Sequence, residues 1–324
     1  MTPVMTYPEA AVIGLLQGVT ELFPVSSLGH SVLLPAIIGG QWARDLNVGA
    51  PESPYLAFIV GLHVATAIAL VIYFWREWVR IIGGFLTSIR DRRVETADQR
   101  LAWLVILATI PVGIAGLLLE HTFRTLLGKP IPASVFLTIN GLILLGGERL
   151  RRKASRRADE EVAAEVSAAA AAPGRHATGQ RALRQREAAL DLASDRRLAG
   201  IGYPASVIIG SAQILALAAG ISRSGVTMVA GLMRGLSHED AARFAFLLAT
   251  PVILAAGALK IPDLTGPLGA GIRGQIIVGS ILSGVGAYLS VRFLTRYFQT
   301  RTLTPFAIYC LVAGLASFVY LTVT

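Results

Sequence analysis

The chain has 324 residues, 54% of them hydrophobic and only 15% charged, with a formal net charge of +9. The apolar residues come in runs of membrane-crossing length and not at amphipathic spacing, with a mean hydropathy of +0.62, which speaks against a soluble globular enzyme. The positive charge lies between those runs without interleaved aromatics, so it reads as membrane topology and attraction to anionic lipid, not as a nucleic-acid surface.

In chain order, the first interruption of the apolar pattern is QGVTELFPVSSLGH, from Gln17 to His30. Polar side chains at membrane depth find no water to bond, so they face a site or one another. The flanking stretches, Ala11 to Phe23 and His30 to Ile38, are too short to cross and are broken at Pro24, which predicts a re-entrant helical hairpin. Its hydroxyl-rich turn, Val25 to His30, leads into a helix whose free N–H groups favour an anion. His30, three residues after Ser27, is placed to reach that hydroxyl, and Glu21 completes a set of acid, base and nucleophile.

Candidate spans follow at 56–74, 101–119 and 132–148. Arg76, Arg80, Arg90, Arg92, Arg93 and Arg100 lie between the first two, and Arg149, Arg151, Arg152 and Lys153 follow the third. The positive-inside rule assigns both segments to the cytoplasm, which leaves Asp45, Glu52 and a turn from Glu120 to Ile131 outside. His63 reads as a helix–helix contact, and Pro111 and Pro251 as kinks. Residues 150–200 form an Arg-, Ala- and Glu-rich insert with the run VAAEVSAAAAAPGRHATG, too poor in large apolar residues to fold alone. It reads as a cytoplasmic loop, partly helical and mobile.

The second polar interruption, QILALAAGISRSGVT from Gln213 to Thr227, echoes the first: Gly14-x-x-Gln17 with Ser26 nine residues on is matched by Gly210-x-x-Gln213 with Ser222 at the same offset. Spans at 244–260, 276–294 and 304–323 follow it. The chain therefore divides into a first repeat, 1–149, the insert, 150–200, and a second repeat, 201–324. An odd number of crossings inverts the second repeat. The expected fold is all-α and polytopic, with about six transmembrane helices plus two re-entrant hairpins that meet near the midplane. In the second turn Arg223, between Ser222 and Ser224, offers a planar fork for phosphate oxygens, and Thr227 lies one helical turn on, where its hydroxyl can bond the same group. An arginine there costs roughly 2.5–3.5 kcal/mol on insertion scales and calls for an anion. Gln17 and Gln213 read as supporting residues that bond backbone at the hairpin crossing. The single cysteine, Cys310, excludes an intramolecular disulfide and a cysteine-based metal cluster.

These motifs resemble those of the undecaprenyl-diphosphate phosphatases often called the bacitracin-resistance protein family. The first motif, E/Q-x-x-x-E followed by P-V-S-S-x-G-H, is matched by Gln17, Glu21, Pro24, Val25, Ser26, Ser27, Gly29 and His30. The second, P-G-x-S-R-S-x-x-T, is matched by Gly220, Ser222, Arg223, Ser224 and Thr227, with Ala219 in place of the proline. The likeness extends to LHVAT at Leu62, TIP at Thr109 and FAFLLATP at Phe244, and covers nearly all of the chain outside the insert. It implies hydrolysis of undecaprenyl diphosphate at a site open to the outer face of the bacterial cytoplasmic membrane, dependent on Mg²⁺ or Ca²⁺. Such a reaction recycles the lipid carrier for cell-wall synthesis and confers bacitracin resistance; the protein would work with lipid, as a monomer or a homodimer. On this footing Arg223 and Ser222, with Ser26, Ser224 and Thr227, hold the phosphates; Ser27 or water attacks, His30 is the base, and Glu21 orients His30 or ligates the metal. A type 2 phosphatidic-acid phosphatase is excluded, because its motif requires histidine where this chain has Val229. A polyprenyl-phosphate transporter is the alternative that shares the inverted-repeat architecture.

The charge distribution makes a topological prediction. Cysteines introduced as Asp45→Cys and Gly128→Cys will be labelled from outside by an impermeant reagent, and Arg92→Cys and Ala170→Cys will not. The reverse pattern would overturn the orientation.

Overall fold

The computed structural model describes residues 5–47, 54–166, 197–260, 262, 266, 269 and 271–324. Glu52 and most of the insert, 167–196, lie outside the described residues. Among those described, every regular element is helical, and six helices are long and apolar enough to cross a membrane: Pro54–Tyr73, Ala97–Leu119, Pro130–Lys153, His238–Leu259, Arg273–Thr300 and Thr304–Val323. These coincide with the six expected runs. The chain is a multi-pass membrane protein.

Helix α1 (Tyr7–Thr20) opens with a capping box, Thr6 accepting from the Glu9 N–H and Glu9 accepting from the Thr6 N–H at 2.7 Å. It stops short of Pro24, and the chain turns into α2 (Ser27–Ile38) and the short α3 (Gly40–Asp45). Then come α4 (Pro54–Tyr73), α5 (Trp75–Asp91), α6 (Ala97–Leu127) and α7 (Pro130–Val166). The second polar interruption is built by α8 (Tyr203–Ser211), a 3₁₀ turn (Ala212–Leu217) and α9 (Arg223–Met233). The chain finishes with α10 (His238–Leu259), α11 (Arg273–Thr300) and α12 (Thr304–Val323).

Three elements differ from the expected outline. The arginine-rich segment after the first span is the amphipathic helix α5, with Trp75, Val79, Ile82, Leu86 and Ile89 exposed on one side. Such a helix lies in the membrane interface with its apolar face in lipid. Helix α6 runs on to Leu127, so the turn expected from Glu120 narrows to the two residues before α7. Helix α7 continues unbroken to Val166, so the insert begins as the extension of a transmembrane helix.

Lipid tails are as apolar as leucine, so these helices associate through close packing and buried polar bonds instead of hydrophobic transfer. Helix α1 packs along α11, where Gly14 meets Gly279 and Gly18 meets Ser283, and α8 packs on α6, where Gly210 meets the Ala108 carbonyl. Helices α7 and α12 meet at Gly141 and Gly314. Opposite this small-residue packing, the first two turns of α10 gather the buried charge. His238 Nε2 lies 2.8 Å from Glu148 of α7, Arg197 is bidentate on Asp240 at 2.7 and 3.0 Å, and Arg243 reaches Glu77 of α5 at 2.8 Å. Glu148 and Asp240 are almost wholly buried, so each needs the donors that these partners supply.

A methyl at Gly210 would overlap the Ala108 carbonyl oxygen, whereas one at Gly146 would enter open space. Gly210→Ala should therefore lower stability in detergent by about 1–3 kcal/mol, and Gly146→Ala should leave it unchanged or raise it slightly. Equal unfolding midpoints for the two variants would discount the close α6–α8 contact.

Candidate active site

Glu21 caps the end of α1 with a carboxylate that is 3% exposed and carries four neighbours. Its Oε2 accepts from Gln17 Nε2 at 2.8 Å and from the Ser27 hydroxyl at 2.5 Å, and lies 3.4 Å from His63 Nε2. Its Oε1 accepts from the Arg223 guanidinium, which arrives from the other polar interruption, at the start of α9. The Arg223 side chain is 19% exposed, so the guanidinium and not the carboxylate meets the adjoining cavity.

The two turns that bring these groups together are stitched directly. Ser26, the N-cap of α2, holds φ at +69°, a conformation L-residues rarely adopt and one that costs about 1–3 kcal/mol. In that pose its hydroxyl accepts from Gly29 N–H within its own turn and from Gly220 N–H of the other, both at 3.2 Å. Gly29 and Gly220 touch, since a Cβ on Gly29 would lie 2.9 Å from the Gly220 Cα; Gly220 itself needs φ +110°. Asn140, wholly buried on α7, makes the second stitch: its amide donates to the Pro24 carbonyl at 3.0 Å and accepts from Ser222 N–H at 3.0 Å. Ser222 caps α9 by accepting from Gly225 N–H, and its hydroxyl lies 3.1 Å from that of Ser224, which donates to the Phe23 carbonyl.

Not every expected residue lies as its spacing suggested. Glu21, Ser27 and Arg223 converge, but His30 does not bond Ser27. Its Nδ1 faces the Ser26 carbonyl at 2.7 Å, which only accepts, so Nδ1 carries the proton; Nε2 then faces the Tyr309 hydroxyl at 2.7 Å. Ser26 O lies one helical turn behind His30 and captures the ring that might have reached Ser27. Thr227 donates to the Arg223 carbonyl at 2.7 Å and so bonds the backbone of that residue, not its guanidinium. Gln17 bonds Glu21 and not backbone, with its Oε1 buried and unpartnered, and neither amide atom of Gln213 has a hydrogen-bond partner.

Two residues were missed. His63 lies in an unbroken apolar run and reads as packing, yet its Nδ1 donates to the Ile59 carbonyl at 2.8 Å and its Nε2 is aimed at Glu21. Asn140 had a detectable signal, as a lone amide in the run VFLTINGLILL, but nothing in that run names its partners.

His63 and Arg223 border a cavity of about 390 Å³ whose walls are otherwise mostly apolar, including Leu28, Val32, Ile59 and Val112. A half-buried cation at the edge of an apolar chamber, sharing a carboxylate with a serine hydroxyl, suits an anionic headgroup on a lipid tail.

A family model described as "Bacitracin resistance protein BacA" matches residues 10–316. The chain is 62% identical over 321 residues to a protein of Mycolicibacterium paratuberculosis named undecaprenyl-diphosphatase, covering 99% of each. It is 57% identical to undecaprenyl-diphosphatase 2 of Frankia alni, covering 96% of each. Against undecaprenyl-diphosphatase 2 of Chromobacterium violaceum it is 39% identical, over 96% of this chain and 98% of that protein.

Asn140→Leu keeps the branched outline but leaves the Pro24 carbonyl and the Ser222 N–H without their amide partner. A loss of about 2–5 kcal/mol is expected, read as a lower unfolding midpoint in detergent. An unchanged midpoint would show that Asn140 does not join the turns.

Proposed function

The chain belongs to the bacitracin resistance protein BacA family, and from that membership we propose that it hydrolyses undecaprenyl diphosphate to undecaprenyl phosphate and inorganic phosphate. The observation that carries the chemistry is the Ser27 hydroxyl held on Glu21 at 2.5 Å, on the same carboxylate as Arg223, whose guanidinium borders the apolar cavity. Arg223 exchanges part of its contact with Glu21 for the terminal phosphoryl oxygens, as a guanidinium fork suits them. Ser27 Oγ attacks the terminal phosphorus as its proton passes to Glu21 Oε2; the bridging P–O bond breaks and undecaprenyl phosphate leaves. Glu21 passes that proton to the departing undecaprenyl phosphate; water then attacks the phosphoserine, giving its proton to Glu21, which returns it to Ser27 Oγ as the Oγ–P bond breaks and inorganic phosphate leaves. His63 faces both Glu21 and the cavity, so it steadies the carboxylate and the incoming anion. His30 acts through position, tying the Ser26 turn to Tyr309. Ser26, Ser222, Ser224 and Thr227 fix the two turns that carry Ser27 and Arg223.

A divalent cation fits this site through hard oxygen donors. Glu21 supplies a carboxylate, and the unpartnered Gln17 Oε1 beside it is an amide oxygen with no other use. No three His, Cys, Asp or Glu side chains converge among the described residues, so substrate oxygens would complete the shell, as Mg²⁺ and Ca²⁺ commonly allow. Bound there, the cation would neutralise the charge of the diphosphate.

The same reading treats 1–149 and 201–324 as inverted repeats whose polar interruptions are re-entrant hairpins. The reciprocal packing supports it: α1 lies on α11 while α8 lies on α6, the second full span of the opposite half in each case. The basic segments then face the cytoplasm of a bacterial inner membrane and the cavity opens outward, where the lipid carrier is released during wall synthesis. A transporter has no use for a serine held on a carboxylate.

Purified protein in detergent should release inorganic phosphate from undecaprenyl diphosphate, and a chelator should suppress the release. Arg223→Lys keeps the charge but loses the fork, and should lower turnover about a hundredfold or more while the protein still inserts. Near-parent turnover in that variant would remove the phosphate-clamp role, and no release by the parent would remove the phosphatase reading.

A further inference from the structure

The cavity beside Arg223 is too small for its proposed substrate. Its volume of about 390 Å³ must take a diphosphate and whatever part of the tail follows, and a long polyprenyl chain exceeds it severalfold. A second hollow, of about 540 Å³, lies between α5 and α6, lined by Trp78, Ile82, Phe85, Val105 and Ile110, with Pro251 of α10 also at its wall. Thr109, Gly113 and Leu117 of α6 border both volumes, so the two are neighbours across one stripe of that helix. The hollow runs beside α6 from Ala102 to Leu117, about 22 Å of helix at the standard rise.

The glycines of that stripe need a reason. A glycine inside a helix costs about 1 kcal/mol relative to alanine. At Gly210 against Ala108 and Gly14 against Gly279 close packing explains it, whereas Gly83 and Gly146, which line neither volume, make no such contact. Gly113 and Gly116 have no such neighbour, because a Cβ on either would meet nothing within 4 Å. They leave a gap in the wall of α6 where a side chain would stand.

We propose that this gap is the exit for the polyprenyl tail, which passes over Gly113 and lies in the hollow between α5 and α6 while the diphosphate sits at Arg223. The proposal rests on the undecaprenyl-diphosphatase reading. It makes the hollow a determinant of chain length: a short prenyl diphosphate ends inside the cavity, and only a long one needs the gap. Trp78, Ile81, Ile82 and Phe85 of α5 form the far wall, next to the exposed apolar face of that helix.

The test compares kcat/KM for undecaprenyl diphosphate with that for farnesyl diphosphate, a much shorter homologue. Gly113→Phe fills open space and should lower the long-to-short ratio on the order of tenfold, through lost packing contacts of the tail. Gly146→Phe, which also enters open space but lines neither volume, should leave the ratio at the parent value. An unchanged ratio in a well-folded Gly113→Phe protein overturns the tail path, whereas absence of phosphate release from both substrates by the parent is the separate failure of the phosphatase reading. Should Gly113→Phe not insert, a photo-crosslinking residue at Ile106 decides. Labelling by a tail-tagged undecaprenyl diphosphate that excess unlabelled substrate suppresses, and phosphatidylglycerol does not, supports the path. Equal suppression by phosphatidylglycerol marks the hollow as bulk-lipid surface and overturns it.

Discussion

A carboxylate at membrane depth cannot stand unpaired, and the whole arrangement follows from how Glu21 is satisfied. The idealised cost of moving such an ion into a low-dielectric interior is of order 20 kcal/mol, and it is offset only by a well-placed counterion and further hydrogen bonds. Glu21 finds its cation in Arg223, 202 residues away, and its remaining acceptor capacity is taken by Gln17 and Ser27, with His63 nearby. The bond joins the two polar interruptions of the sequence, so neither can be in place without the other. It also leaves the serine hydroxyl on a carboxylate oxygen and the guanidinium at the edge of a cavity.

Such a pair requires the backbone turns to be held at fixed separation, and the fold does this with polar stitches more than with apolar packing. Ser26 accepts strain to bond both turns, and Asn140 grips one carbonyl and one N–H across the same gap. Around them, backbone approaches between α1 and α11 and between α8 and α6 exploit glycines, because in lipid only contact and hydrogen bonds favour association. Gly113 and Gly116 on α6 make no such contact, since a Cβ on either would meet nothing within 4 Å. At the start of α10 the buried pairs His238–Glu148, Arg197–Asp240 and Arg243–Glu77 bind α7, the return from the insert and α5 to one helix. The insert is therefore tied at both ends to the bundle.

The amino-acid sequence alone determined the six crossings, because span length and apolar content are properties of a contiguous run and need no partner. It also singled out Glu21, Ser27 and Arg223, since a polar group in an apolar segment is conspicuous wherever it ends up. Contacts across elements were beyond it. Helical spacing offers His30 two targets, Ser27 at three residues and the Ser26 carbonyl at four, and the choice between them depends on Tyr309, 279 residues on, at the other ring nitrogen. His63 and Asn140 sit inside ordinary spans, and what makes them part of the site is the polar turn that arrives opposite each. Local periodicity says which residues share a helix face; only tertiary packing decides what that face meets, because a hydrogen bond depends on distances of a few ångströms between segments that chain order leaves far apart.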